Sequence, residues 1–159
     1  MSKKKIVCMI CTQMRGLDDK AIKDSIKECQ DFIIDYVSSH FADDADTDEV
    51  SVILTDNMVN YKCPAVAEDD TGYRLFCLGN GISNVMAMSD IVVFAPGWVN
   101  SKGCVVEAFI AKLYGKNICM INRDYSTGDL YVASHDAFIT QLKLAMTLYG
   151  INSTNEKKE

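Results

Sequence analysis

Four short apolar runs, Ile6 to Cys11, Val50 to Leu54, Ile91 to Ala95 and Ile118 to Ile121, constrain the fold of this chain more than any other feature. Each has strand length and none alternates with polar residues, the pattern of parallel strands covered on both faces. The segments between them read as helices. In the first, Ile22, Ile26, Cys29, Ile33 and Val37 recur at helical spacing, Asp18 or Asp19 is placed to cap the start, and the helix is predicted to run to about His40. Leu75 to Met88 reads as a short helix interrupted by Gly79 and Gly81. Lys102 to Tyr114 reads as the next, with Val105, Val106, Phe109, Ile110 and Leu113 as its buried stripe and Gly115 as its stop. Ser134 caps a last helix that turns Phe138, Leu142, Ala145 and Leu148 inward. Alternating strands and helices predict right-handed crossovers and an α/β, Rossmann-like three-layer sandwich. Its sheet has four to five mostly parallel strands, the weaker fifth around Leu130 to Val132.

The 159 residues suit a single domain, 1–151, followed by a polar tail, 152–159, expected to be flexible. Twenty-two acidic against 16 basic side chains give a net charge of -6, which argues against binding a nucleic-acid backbone. A small anion held by a local pocket remains compatible with it. The seven cysteines are an odd number scattered through apolar runs, so they predict free thiols in a reducing cytoplasm rather than a disulfide framework. Cys8 and Cys11 have CxxC spacing. However, strand alternation sends them to opposite faces, and no second Cys/His pair lies at zinc spacing, so no metal and no cofactor is expected. Neither a signal peptide nor a membrane span is expected. The acidic stretch from Asp43 to Glu49 reads as a solvated turn, because the glycine and spacing of a calcium loop are missing.

Ligands of open parallel sheets bind beyond the carboxyl ends of the strands. Three segments are expected at that edge: Thr12 to Leu17, the long irregular stretch Thr55 to Tyr73, and Pro96 to Glu107. Arg123 to Val132 is a further candidate loop. In the first segment, Thr12, Met14, Arg15 and Gly16 leave a strand for a helix, where backbone amides and the Arg15 fork suit a phosphate or carboxylate. The alternative is an ordinary tight connection with an exposed arginine. It is neither a Walker A sequence nor GxGxxG. In the third segment, Gly97 and Trp98 follow Pro96, Ser101 caps the helix, and Glu107 lies among Val105, Val106, Ala108 and Phe109. A carboxylate on a mainly apolar helix suits a nucleophile with a raised pKa; the alternative is a rim glutamate paired with Lys102 or Lys112. Trp98, in a Pro-Gly turn, reads as a flat face for a base or sugar.

These residues carry a resemblance. The stretch from Ser89-Asp90 through Pro96-Gly97-Trp98 and Ser101-Lys-Gly-Cys-Val-Val-Glu107 to Ala111-Lys-Leu-Tyr-Gly-Lys resembles the nucleoside 2-deoxyribosyltransferase-like superfamily. Gln13-Met14-Arg15-Gly16, Gly97-Trp98 and Gly103-Cys104 are similar to an uncharacterised phage and bacterial branch of it. The resemblance covers roughly residues 5–121. It implies a flavodoxin-like sheet, a homodimer or higher homo-oligomer, and a small nucleotide or nucleoside as partner. It also implies that Glu107 attacks the anomeric carbon of a deoxyribosyl group, by the logic of retaining glycosidases.

Six residues before the nucleophile the transferases carry an aspartate, where this chain has Ser101. A serine there, with an Arg-Gly loop after the first strand, resembles the 2'-deoxynucleoside 5'-monophosphate N-hydrolases. That likeness implies phosphate-side contacts by Arg15, Gly16, Ser101 and Gly103. The expected function is therefore cleavage of the N-glycosidic bond of a small (deoxy)nucleoside 5'-monophosphate. Base exchange between deoxynucleosides and non-catalytic nucleotide binding are the alternatives. The chain departs from the pattern where a second acid would protonate the leaving base, since Gly81, Ile82, Ser83 and Asn84 stand near that position. Asp69, Asp70 and Asp124 are the candidates to replace it, and Tyr61, Tyr73 and Tyr125 the candidates to orient a carboxylate. Asp90 reads as structural, and Cys104 as a small packing residue beside Gly103.

Overall fold

The computed structural model describes residues 5–14, 16–40, 49–54 and 71–151. It is a mixed α/β structure around an open, mostly parallel sheet. The strands are β1 (Lys5–Cys11), β2 (Glu49–Leu54), β3 (Ile91–Phe94), β4 (Asn117–Arg123) and β5 (Leu130–Val132), and their order across the sheet is β2-β1-β3-β4-β5. The first four are parallel, while β5 pairs antiparallel with β4, Ile121 opposite Val132. All four apolar runs became strands, and the weak fifth became an edge.

Alternation along the strands sorts the core into two clusters. Met9 and Cys11 of β1, Val92 and Phe94 of β3 and Met120 of β4 pack with α3 (Lys102–Leu113) and α4 (His135–Leu148). Cys8 and Ile10, Val93 and Ile121 pack instead with Cys29, Ile33 and Val37 of α1 (Asp19–His40). The CxxC pair is therefore split between the two clusters, and both thiols are free. Asp18, not Asp19, caps α1, accepting from the Ala21 amide at 2.7 Å. Arg123, at the end of β4, fastens the same helix through a two-pronged bond to Glu28, at 2.9 and 2.7 Å, and also donates to the Gly128 carbonyl.

The chain differs from the sequence expectations in three helices. The expected break at Gly79 is absent: α2 (Thr71–Asn80) runs through it and continues into a π-helical turn over Gly81–Val85 and a 3-10 turn over Met86–Met88. On α4, Leu148 is exposed and Met146 takes the inward place. On α3 the buried side is Cys104, Val105, Glu107, Ala108 and Ala111, whereas Phe109 and Leu113 point to solvent. Apart from Glu107 the inward face is made of small residues, which let the helix lie close on the sheet, while the larger Phe109 and Leu113 fall on the outward face. That rotation of the helix carries Glu107 inward.

Candidate active site

In the strand order β2-β1-β3-β4-β5 the connection leaving β1 runs to β2 on one side and the connection leaving β3 runs to β4 on the other, so β1 and β3 flank the switch point beyond whose strand ends a crevice is expected. Cys11 closes β1 beside Phe94, and the Ala95 amide donates to the Cys11 carbonyl at 3.0 Å. Past Pro96, Gly97 adopts a left-handed φ of +84°, which favours glycine and turns the chain into a short 3-10 segment, Trp98–Asn100. Ser101 then caps α3, its Oγ accepting from the Cys104 amide at 3.3 Å. The two connections are close: a Cβ placed on Gly97 would lie 3.8 Å from Gln13 Oε1 and 3.9 Å from Asn100 Nδ2.

Glu107 lies a turn and a half into α3 and is 7% exposed. Loss of water pushes its carboxyl from 4.5 to about 7, against which a hydrogen bond from the Cys11 thiol acts. No ion pair to Lys102 or Lys112 forms, so the rim-glutamate alternative does not describe it. Cys104, one turn earlier on the same face, is pushed up to about 12 by burial and by the Glu107 charge, and Cys11 is held well above its ordinary value by burial and the same charge. Both are thiols at neutral pH, so neither is an activated nucleophile.

The other expected site residues divide. Thr12 is buried directly after Cys11, Met14 is half-buried, and Gly16 is exposed with a φ of +80°. Among the described residues a Cβ at Gly103 would meet Ser101 Oγ at 3.8 Å, an ordinary contact. Arg15, Tyr61, Asp69 and Asp70 lie outside the described residues. Trp98 corrects the expectation of an open aromatic face: it is 1% exposed, stacks on Phe138 at 5.6 Å and packs on Phe94 at 5.2 Å. The Pro-Gly turn folds the indole back under the strand ends instead of outward. Its Nε1 is buried without a hydrogen-bond partner among the described residues.

Among the replacement acids, Asp124 is held below the usual range by hydrogen bonds from Ser126, first its hydroxyl at 2.6 Å and then its amide. It is ionised at neutral pH and unsuited to deliver a proton. Tyr125 is almost fully exposed and Tyr73 is half-buried. Asp90 turns away from the site, accepting from the Val7 amide at the opposite end of the sheet.

Reading the sequence did not show that the Gln13 and Asn100 carboxamides come to lie beside Gly97, since that closeness depends on the pairing of β1 with β3. Two surface hollows, of about 460 and 520 Å³, open near the starts of β3 and β4; Asn117 and Ile118 border both, and Glu107 borders neither. Among the described residues no group of three or more His, Cys, Asp or Glu side chains could hold a metal ion, and no helix is long and apolar enough to cross a membrane. Compared with known proteins, the chain matches no family model, no curated protein and no solved structure at a significant level, so fold and site stand on their own geometry.

Proposed function

We propose that the protein cleaves the N-glycosidic bond of a small (deoxy)nucleoside 5'-monophosphate, with Glu107 as nucleophile. The observation that carries this reading is a buried carboxylate on a capped helix at the β1–β3 crevice, with a carboxyl pushed to about 7. In the reaction a Glu107 oxygen bonds to C1', the bond from C1' to the base nitrogen breaks, and its electron pair leaves with the base, which takes up a proton. Water then attacks C1' and releases Glu107 and the sugar phosphate. At pH 7 about half of the Glu107 side chains are ionised and competent. The Thr12 to Gly16 connection and the Ser101 cap at the start of α3 form the phosphate side, by analogy with helix N-terminal anion sites.

The finer fold assignment, a flavodoxin-like three-layer sandwich of the nucleoside 2-deoxyribosyltransferase-like superfamily, belongs to the same proposal. Its support is the strand order, the two separate core clusters and the Pro96 to Glu107 motif. So do a cytoplasmic location and a homodimer or higher homo-oligomer; exposed Phe109, Leu113 and Tyr114 offer α3 an apolar face for a second copy, and light scattering reports it.

A second reading has its own observation. The expected position of the second acid is a π-helical turn, Gly81–Val85, without a carboxylate, which favours a nucleotide-binding protein that does not turn its ligand over. Incubation with a panel of (deoxy)nucleoside monophosphates separates the readings. Free base in the chromatogram supports hydrolysis, and base appearing only with an added acceptor base means exchange. A raised melting temperature with no product means binding alone.

A further inference from the structure

We propose that the hollow of about 460 Å³ beside the start of β4 is a second binding site, built for a phosphate group, with Lys112, Lys116 and His135 supplying its donors. Glu107 does not border it, and the inference is independent of the role given to that carboxylate.

The site is assembled where α3 ends and α4 begins. Gly115, at a left-handed φ of +69°, turns the chain back, and the amides of Tyr114, Gly115 and Lys116 close onto the carbonyls of Ile110, Lys112 and Ala111. Three carbonyls of the last turns of α3 are thereby occupied, while Lys112 and Lys116 arrive at the rim of the same hollow. Lys116 is half-buried and held in place, its Nζ donating to the Ser89 carbonyl at 2.8 Å and to the Ala87 carbonyl at 3.3 Å. An ammonium carries three donors, so one remains for a ligand. Lys112 is exposed, and among the described residues neither lysine forms an ion pair with a carboxylate.

The opposite wall is the N-terminus of α4, a helix of 14 residues. Ser134 Oγ accepts from the Ala137 amide at 3.1 Å, and the amides of His135 and Asp136 have no acceptor within the helix. The exposed His135 ring borders the hollow. No aspartate or glutamate is among its described lining residues, Asp136 included. On a chain with a net charge of -6, two unpaired lysines facing a helix start across one hollow reverse the sign of the surface locally. Two ammonium groups and a helix start suit a dianion with several acceptor oxygens, and the volume lies within the range of small-ligand sites. Free phosphate and a phosphate monoester share this chemistry.

The test is a nitrogen-15 NMR titration of the full chain with inorganic phosphate and with glycerol phosphate, the ionic strength held constant with sodium chloride. Saturating shifts are expected at the amides of Gly115, Lys116, His135 and Asp136. Lys112→Glu should weaken binding at least about tenfold, and His135→Ala should weaken it measurably; both replace exposed side chains and leave the core intact. If Lys112→Glu fails to fold, Lys112→Ala takes its place. Tighter binding of the ester assigns the site to a phosphate monoester, and equal or weaker binding assigns it to free phosphate; both results support the site. Shifts that chloride alone reproduces, or an affinity unchanged in the Lys112 and His135 variants, would overturn the proposal. So would saturating shifts confined to Met14, Gly16 and Ser101 to Gly103, which would place the phosphate at the other end of the sheet.

Discussion

Val7 and Asp90 exchange two hydrogen bonds: the Val7 amide donates to Asp90 Oδ2 at 2.8 Å, and the Asp90 amide donates to the Val7 carbonyl at 2.8 Å. The pair locks the start of β3 onto β1 at the end of the sheet away from Cys11, about 13 Å along the strand. Asp90→Ala removes the acceptor and is expected to cost about 1 to 2 kcal/mol of stability. Nucleotide affinity should be unchanged in calorimetry. A loss of affinity with stability intact would move Asp90 into the site.

Ser101 has two separable roles. As the cap of α3 its replacement by alanine should cost about 1 kcal/mol, seen as a lower melting temperature. Ser101→Asp keeps a capping oxygen, so stability should be largely retained. The added negative charge should nonetheless weaken binding of a nucleoside monophosphate far more than binding of the free nucleoside. Equal weakening of both ligands would mean that Ser101 does not face the phosphate.

Burial of Glu107 gives stability a defined pH dependence. The carboxyl titrates near its ordinary 4.5 in the unfolded chain and at about 7 in the folded one. Between those values the folded state keeps a proton that the unfolded state releases, so stability falls as pH rises through this window and the loss is complete above it. The full window corresponds to roughly 3 kcal/mol. Glu107→Gln removes the ionisation. Its melting temperature should exceed wild type by roughly 6 to 12 °C at pH 8 and lie close to it at pH 4. Parallel melting curves for the two proteins across this range would show that the carboxylate is solvated.

Trp98 is the single tryptophan, so fluorescence reports its surroundings alone. Its emission should be blue-shifted and nearly insensitive to iodide, and a bound nucleotide should not quench it by stacking. Trp98→Ala should cost about 3 to 5 kcal/mol through loss of the Phe94 and Phe138 contacts. Strong iodide quenching would restore the exposed aromatic face expected from the Pro-Gly turn.

Much of the sheet was legible because unbroken apolar runs have little choice but to be buried strands, and the caps Asp18, Ser101 and Ser134 mark three helix starts through local chemistry alone. What the sequence hid was orientation. On α3 the largest apolar residues suggested one face, but packing against a sheet favoured the smaller set Cys104, Val105, Ala108 and Ala111, about one position away. Glu107 was picked out as chemically odd, yet its depth depends on that rotation. Trp98 failed for a related reason: its turn was recognised, but the direction of its indole is decided by Phe94 and Phe138, far apart in the chain and adjacent in space.

The central claim is that Glu107 performs the chemistry, and release of free base by wild type and Glu107→Gln tests it most directly. The measurement is made on the deoxynucleoside monophosphate that raises the melting temperature most. Wild type should liberate base and sugar phosphate in equal amounts, while Glu107→Gln should bind the same nucleotide, stay folded and lose turnover by at least about a thousandfold. Undiminished release by the variant, or no release by wild type from any nucleotide it binds, would contradict the account.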